Sequence, residues 1–133
     1  MNEAREIARD CLAQRARTLE RALSRIYDRA LRDVGVTASQ LSMLVAIALL
    51  PEPSAAAVGR RLDLEKSTVS RNLARLVAAG LVDDRDGLAL TPRGTATLRA
   101  GHAAWRTAQR QARAGLGART LSFLDSLSPE DTP

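Results

Sequence analysis

The residues best suited to chemistry stand in one short run. From Lys66 to Val82 there is no carboxylate, and the segment carries Ser67, Thr68, Ser70, Arg71, Asn72 and Arg75. On a helix advancing about 100° per residue, Val69, Leu73, Leu76 and Val77 fall within a sector of about 100°, and Arg71 lies almost opposite. Ser67, Thr68 and Arg75 flank Arg71, with Ser70 and Asn72 at the edges. Reading a DNA major groove needs side chains of these types. Arg bridges guanine O6 and N7, Ser and Thr reach bases or phosphates, and Asn reads adenine. Arg60, Arg61 and Lys66 cluster just upstream, where positive charge can neutralise phosphate. Ser67, Thr68, Ser70 and Arg71 are thus the candidate base readers. Arg60, Arg61, Lys66, Asn72 and Arg75 are the candidate phosphate contacts. Five basic residues against two acidic ones, Asp63 and Glu65, between 60 and 76 predict that the chain's excess positive charge sits here. The competing readings of the face are plain solvation and docking of a protein.

The flanking elements are those that present such a helix. Ser54 caps a short helix over 55–62, residues 63–65 turn, and the reading helix runs from about Glu65 to Ala79 with Gly80 beyond its end. Leu81–Asp83 and Leu88–Leu90 flank Asp84-Arg85-Asp86-Gly87, the pattern of a small β-hairpin. Helix, turn, helix and hairpin make a winged helix-turn-helix over residues 38–91. Upstream, residues 4–34 hold no Pro or Gly, and Leu12, Ala16, Leu19, Leu23, Ile26, Ala30 and Val34 step by three or four. This predicts one unbroken amphipathic helix of about 45 Å, longer than one small lobe covers, so a second copy is its simplest partner. Gly35 stops it, and Thr37-Ala-Ser-Gln40 reads as a capping box. The next helix runs to about Leu50 and is apolar nearly all round, hence central, with Leu41, Leu44, Val45 and Ala48 on one face; Pro51 and Pro53 close it. Thr91-Pro92 opens the last long helix, which Gly115-Leu116-Gly117 breaks. Leu121, Leu124 and Leu127 support a short final helix, and Ser128–Pro133 is a polar tail. The fold expected is mostly α with a β-hairpin wing, in a single domain over 1–133, with 4–34 and 92–127 as dimerisation helices.

Composition bounds the alternatives. A chain of 133 residues, 45% hydrophobic and 26% charged, is one globular domain. Aromatics are 2%, so Leu, Ile, Val and Ala fill the core. The net charge is +5, and Lys66 is the only lysine among 20 basic residues, a bias typical of GC-rich bacterial genomes. Cys11 stands alone, so no internal disulfide forms, and with His102, the only histidine, it makes no metal set. No Ser/His/Asp set or Gly-rich phosphate loop is present, which argues against an enzyme, and nothing calls for a cofactor. No apolar run approaches a membrane span and the N-terminus is too charged for a signal peptide, so a cytoplasmic protein without membrane partners is expected.

QLSMLVAIALL, then SAAAVGRRLDLEKSTVSRNLARLVAAGLV, then a wing ending LALTPRG, resembles the multiple antibiotic resistance regulator (MarR) family over about residues 12–127. The resemblance implies a homodimer held by the terminal helices, with two winged lobes on a pseudo-palindromic operator in double-stranded DNA. It implies repression of neighbouring genes, relieved by a small ligand or an oxidant. By position, Ser67, Thr68, Ser70 and Arg71 become the major-groove readers and Arg85 the wing's minor-groove residue. Two features depart from the family pattern. Only five residues separate Val82 from Leu88, and Asp83, Asp84 and Asp86 surround Arg85. Glu65 also sits where a better N-cap is usual.

Three further residues and one cysteine have a functional reading beside a packing one. Tyr27, His102 and Trp105 can line a pocket for a small aromatic or anionic ligand, or simply pack against the dimerisation layer. Cys11 is a candidate oxidant sensor, since some members of the resembling family sense peroxide through an N-terminal cysteine. That sensor would fall nearer Ala13, although Tyr27 does match a tyrosine of that branch. The plainer reading of Cys11 is a small packed residue.

Overall fold

The computed structural model describes residues 1–127, and the tail over 128–133 lies outside them. Among the described residues the order is α1 (Asn2–Asp10), α2 (Leu12–Leu31), a 3₁₀ turn (Arg32–Val34), α3 (Ala38–Leu49), α4 (Ala55–Leu62), α5 (Lys66–Ala78), β1 (Val82–Asp83), β2 (Ala89–Leu90), α6 (Pro92–Gly115) and α7 (Ala118–Asp125). This is a mostly α fold with a two-stranded antiparallel wing, the architecture the pattern predicts.

The first long helix is not continuous. Cys11 adopts an extended conformation, φ −66° and ψ 112°, and separates α1 from α2. No Pro or Gly marks the break. Side-chain groups take over part of the helical bonding there. The Arg15 guanidinium donates to the Arg9 carbonyl at 2.9 Å, and Arg9 itself pairs with Asp10 at 2.7–2.9 Å. The remainder of the stripe is helical as expected, and Gly35 ends it in the left-handed region at φ 86°.

α3 is the hub. Thr37 Oγ1 accepts from Gln40 N–H at 3.1 Å while Gln40 Oε1 accepts from Thr37 N–H at 3.0 Å, closing both halves of the capping box. Leu41, Met43, Leu44, Ala46 and Ile47 are buried against Leu31, Val58, Val69, Leu76 and Val82. Val45 and Ala48, expected to be covered, face outward, because α3 is packed on the sides toward α2, α4, α5 and α6 and not all round. Leu50 is extended ahead of Pro51, as a residue preceding proline must be.

The most extensive helix–helix contact is α2 against α6. Thr91 caps α6 and Pro92 opens it. The buried positions of α6 are Gly94, Gly101, Ala108 and Ala112, small residues that let its backbone approach its neighbours closely. Gly94 is the tightest, since a Cβ there would lie 2.0 Å from the Leu81 carbonyl oxygen. α7 is tied back by Arg113, whose guanidinium meets Asp125 at 3.0 and 3.1 Å. Leu127, expected to support α7, lies past its end and is exposed. Along the terminal helices Ile7, Leu12 and Phe123 stand 66%, 76% and 63% exposed, an apolar surface that one chain leaves uncovered.

Candidate nucleic-acid interface

α5 is fixed from behind. Val69, Leu73 and Leu76 are buried, each stabilising the helix against the core by roughly 1.5–3 kcal/mol. Gly80, at φ 73°, ends it in a Schellman motif: Leu81 N–H donates to Leu76 O and Gly80 N–H to Val77 O, both at 2.9 Å. The turn between α4 and α5 closes through Asp63 in the left-handed region, φ 52°. No glycine marks this left-handed position, but Asp is among the few side chains that tolerate that conformation.

The outward face is exposed at Ser67, Ser70, Arg71 and Arg75, with Thr68 half-buried. Arg71 makes no ion pair among the described residues. Arg60, Lys66 and Ser70 share a cleft of about 490 Å³ across the helix-turn-helix, beside Gly59 and Asp63. Asn72 is turned away from this group. It is half-buried, and its amide donates to Ser39 Oγ at 3.4 Å on α3. Arg61 stands apart too, lining a different cavity of about 550 Å³ bounded by α2, α3, α4 and α6. The structure brings Tyr27, His102 and Trp105 together on that same cavity, where the His102 and Trp105 rings stack at 5.9 Å. Its wall is otherwise mostly apolar, including Leu31, Leu41, Val45 and Leu98. Tyr27 also donates to Gln109 Oε1 of α6, and burial raises its phenol pKa above the ordinary value.

The wing has its own internal pairing. Arg85 Nε and Nη2 donate to the two Asp83 carboxylate oxygens at 3.0 and 2.6 Å, and Arg85 N–H donates to Asp83 Oδ1 at 3.0 Å. These bonds hold the Asp83 carboxyl down to about 2 and raise the Arg85 guanidinium. Arg85 therefore projects from the wing 84% exposed, with its guanidinium paired to Asp83. Val82 pairs with Leu90 and Asp83 with Ala89, and Gly87 makes the turn at φ 87°. The charge count over residues 38–91 is six basic and six acidic side chains, so the lobe is neutral. Residues 92–125 hold six basic side chains and one acidic. Residues 60–76 keep their surplus of three positive charges, which Glu52 and the wing carboxylates offset within the lobe, and a second surplus lies in the last helices. What the lobe carries is a local basic patch on α4 and α5, offset by an acidic wing.

Thr91 joins the two parts. Its hydroxyl donates to Gly80 O at 2.6 Å, just past α5, and accepts from Gly94 N–H at 2.9 Å in the first turn of α6. The hydroxyl thus links the end of α5 to the first turn of α6.

A hydroxyl- and arginine-bearing helix held on a hydrophobic lobe and followed by a short wing defines a winged helix-turn-helix protein. The MarR family model matches residues 34–87. The transcriptional regulator MosR of Mycobacterium tuberculosis is 30% identical with a TM-score of 0.77, over 90% of this chain and 93% of that one. A second structure of MosR, in complex with DNA, gives a TM-score of 0.76 at 30% identity, over 89% and 94%. Apo MarR of E. coli shares the fold, with a TM-score of 0.68 at 21% identity, over 92% and 97%. No curated protein sequence matches the chain. The chain belongs to the MarR family of transcriptional regulators. Among the described residues no single helix is long and apolar enough to cross a membrane.

Proposed function

We propose that the protein is a dimeric repressor that reads a near-palindromic operator in double-stranded DNA and lets go when a small aromatic or anionic ligand binds. The observation that carries this reading is the face of α5. Ser67, Ser70 and Arg71 are exposed, and Arg71 pairs with no acid among the described residues, on a helix whose opposite side is locked in the core. MosR solved with DNA supports it by analogy. In this reading residues 38–91 form the DNA-binding lobe, and 4–34 with 92–127 form the dimer. Ser67, Thr68, Ser70 and Arg71 meet base edges; Arg60, Lys66 and Arg75 meet phosphates. Asn72 contributes less, its amide being engaged by Ser39, whereas Arg61 stays exposed at the rim of the cavity and meets phosphate with Arg60. Arg85 enters the minor groove only together with Asp83.

The cavity bearing Tyr27, His102 and Trp105 takes the ligand. An anion there is met by Arg61 from the last turn of α4, so that occupancy bears directly on the lobe. A symmetric dimer places its two half-sites roughly 34 Å apart.

The test is a titration of wild type and Arg71→Ala on selected operator, single-base variants and random duplex at several salt concentrations. A bidentate guanine contact predicts a loss of about 1–3 kcal/mol per half-site and relaxed preference at one position. Arg60→Ala instead weakens all sequences alike and reduces the salt slope by about one contact per subunit. If wild type binds operator and random DNA equally, or if binding is insensitive to salt, the face docks a protein and the reading fails.

A further inference from the structure

The last turn of α4 carries two neighbouring arginines that belong to different cavities. Arg60 lines the cleft across the helix-turn-helix with Lys66 and Ser70, on the side that meets DNA in the proposed function. Arg61 is one residue further on, about 100° round the helix, and lines the cavity bounded by α2, α3, α4 and α6. Both side chains are exposed, and neither makes an ion pair among the described residues. Val58, buried, and Leu62, half-buried, hold the same helix on the core.

Arg61 therefore stands between two different chemistries. Among the residues lining its cavity it is the only arginine or lysine, and no carboxylate faces the space. An apolar enclosure with one guanidinium at its rim suits a molecule with an apolar body and one anionic group. On its other side Arg61 adjoins Arg60 on the first helix of the helix-turn-helix, the helix that crosses the DNA backbone. A guanidinium fork offers the same donors to a carboxylate and to a phosphate, and it holds only one of them bidentately at a time.

We infer that Arg61 is shared between DNA phosphate and the cavity's ligand, so that an apolar anion releases DNA by withdrawing one phosphate contact per subunit. The inference rests on the proposed function and names how its two halves are coupled. Charge, not occupancy, becomes the effective property of the ligand: a neutral molecule of the same shape fills the cavity and leaves the contact in place. Phosphate contacts carry no sequence information, so release is equal on operator and random DNA. The coupling is reciprocal, and DNA weakens binding of the anion by the same factor.

The probes are benzoate and its neutral isostere benzamide. Trp105 is the only tryptophan and lines the cavity, so its fluorescence reports occupancy in the absence of DNA. Wild type, Arg61→Gln and Arg60→Gln are titrated on selected operator and on random duplex over a range of salt, at equal Trp105 occupancy and matched ionic strength. Benzoate should weaken wild type on both DNAs by a common factor, roughly 2- to 5-fold per subunit, and lower the salt slope by about one contact per subunit. Benzamide should change neither. Arg61→Gln should show the lowered slope without any ligand and no further response to benzoate. Arg60→Gln should also start from a lowered slope, yet respond to benzoate as wild type does. The inference is overturned if benzamide releases DNA as well as benzoate does, if Arg61→Gln keeps the wild-type slope, or if Arg61→Gln is still released by benzoate. Each of these results leaves DNA reading by α5 standing. If neither compound perturbs Trp105, the inference falls together with the ligand half of the proposed function; if wild type shows no salt-dependent DNA binding, it falls with the DNA half.

Discussion

Replacing Gly94 by Ala tests the joint between the reading lobe and the long helices. The new Cβ would lie 2.0 Å from Leu81 O and 3.0 Å from Leu81 C, both backbone atoms that cannot swing aside. Leu81 is pinned on either hand: its N–H donates to Leu76 O in the Schellman motif, and its carbonyl accepts from Thr91 N–H at 3.1 Å. Restoring an ordinary contact in so close-packed a region requires the first turn of α6 to move by about 1 Å or more. That motion strains the Thr91 N–H bond to Leu81 and the Thr91 cap on Gly94 N–H. Overpacking costs about 1–3 kcal/mol, a lost cap about 0.5–2, and a weakened hydrogen bond about 1. The better helix propensity of Ala returns about 0.5–1 kcal/mol. The net expectation is a loss of about 2–5 kcal/mol, or roughly 6–25 °C in Tm for a chain of this length. Thermal and urea unfolding followed by circular dichroism, at one protein concentration, measures it. Two controls sharpen the comparison. A Cβ at Gly101 would sit 2.7 Å from Leu41 Cδ1, the end of a movable side chain, so Gly101→Ala should cost well under half as much. Nothing lies within 4 Å of a Cβ at Gly115, so Gly115→Ala should be neutral or stabilising. A Gly94→Ala protein within about 0.5 kcal/mol of wild type would refute the close-approach argument.

Three further outcomes follow from the geometry. Because Arg85 depresses the Asp83 carboxyl to about 2, the wing pair should be intact above the unfolded value near 4 and lost as pH falls through about 2; Arg85→Ala should return the Asp83 carboxyl toward its ordinary range in an NMR titration, and an unmoved value would remove the pairing. Deleting residues 1–11 removes α1, which buries no residue, so circular dichroism should show a folded lobe while sedimentation shows loss of the dimer; a fully dimeric truncation contradicts the proposed role of the N-terminal helices. Cys11→Ser should leave the response of DNA binding to peroxide unchanged, since Cys11 is a half-buried kink residue; peroxide-induced release that disappears in the variant would make it the sensor.

Much of the candidate interface was legible as periodicity. The spacing of Val69, Leu73 and Leu76 fixes which face of α5 is buried, and so which residues remain outside, without any knowledge of what they pack against. Thr37, Ser54, Thr91, Gly35 and Gly80 announce helix ends through chemistry that acts within a few residues. Such signals are local, and local geometry is written directly in the order of residues.

The residue order alone therefore dictates the winged lobe and the outward set on α5, which depend on neighbours within one or two turns, but not the break at Cys11. The commitments of individual side chains depend instead on long-range packing. Asn72 bonds Ser39, 33 positions away, and Arg61 belongs to a cavity wall that α2, α3 and α6 complete. Gly94 is required because Leu81 comes back against it. The physical reason is common to these cases. Whether a polar group is free or engaged, and whether a Cβ fits, is settled by atoms that arrive from elsewhere in space, at distances of a few ångströms that periodicity does not encode.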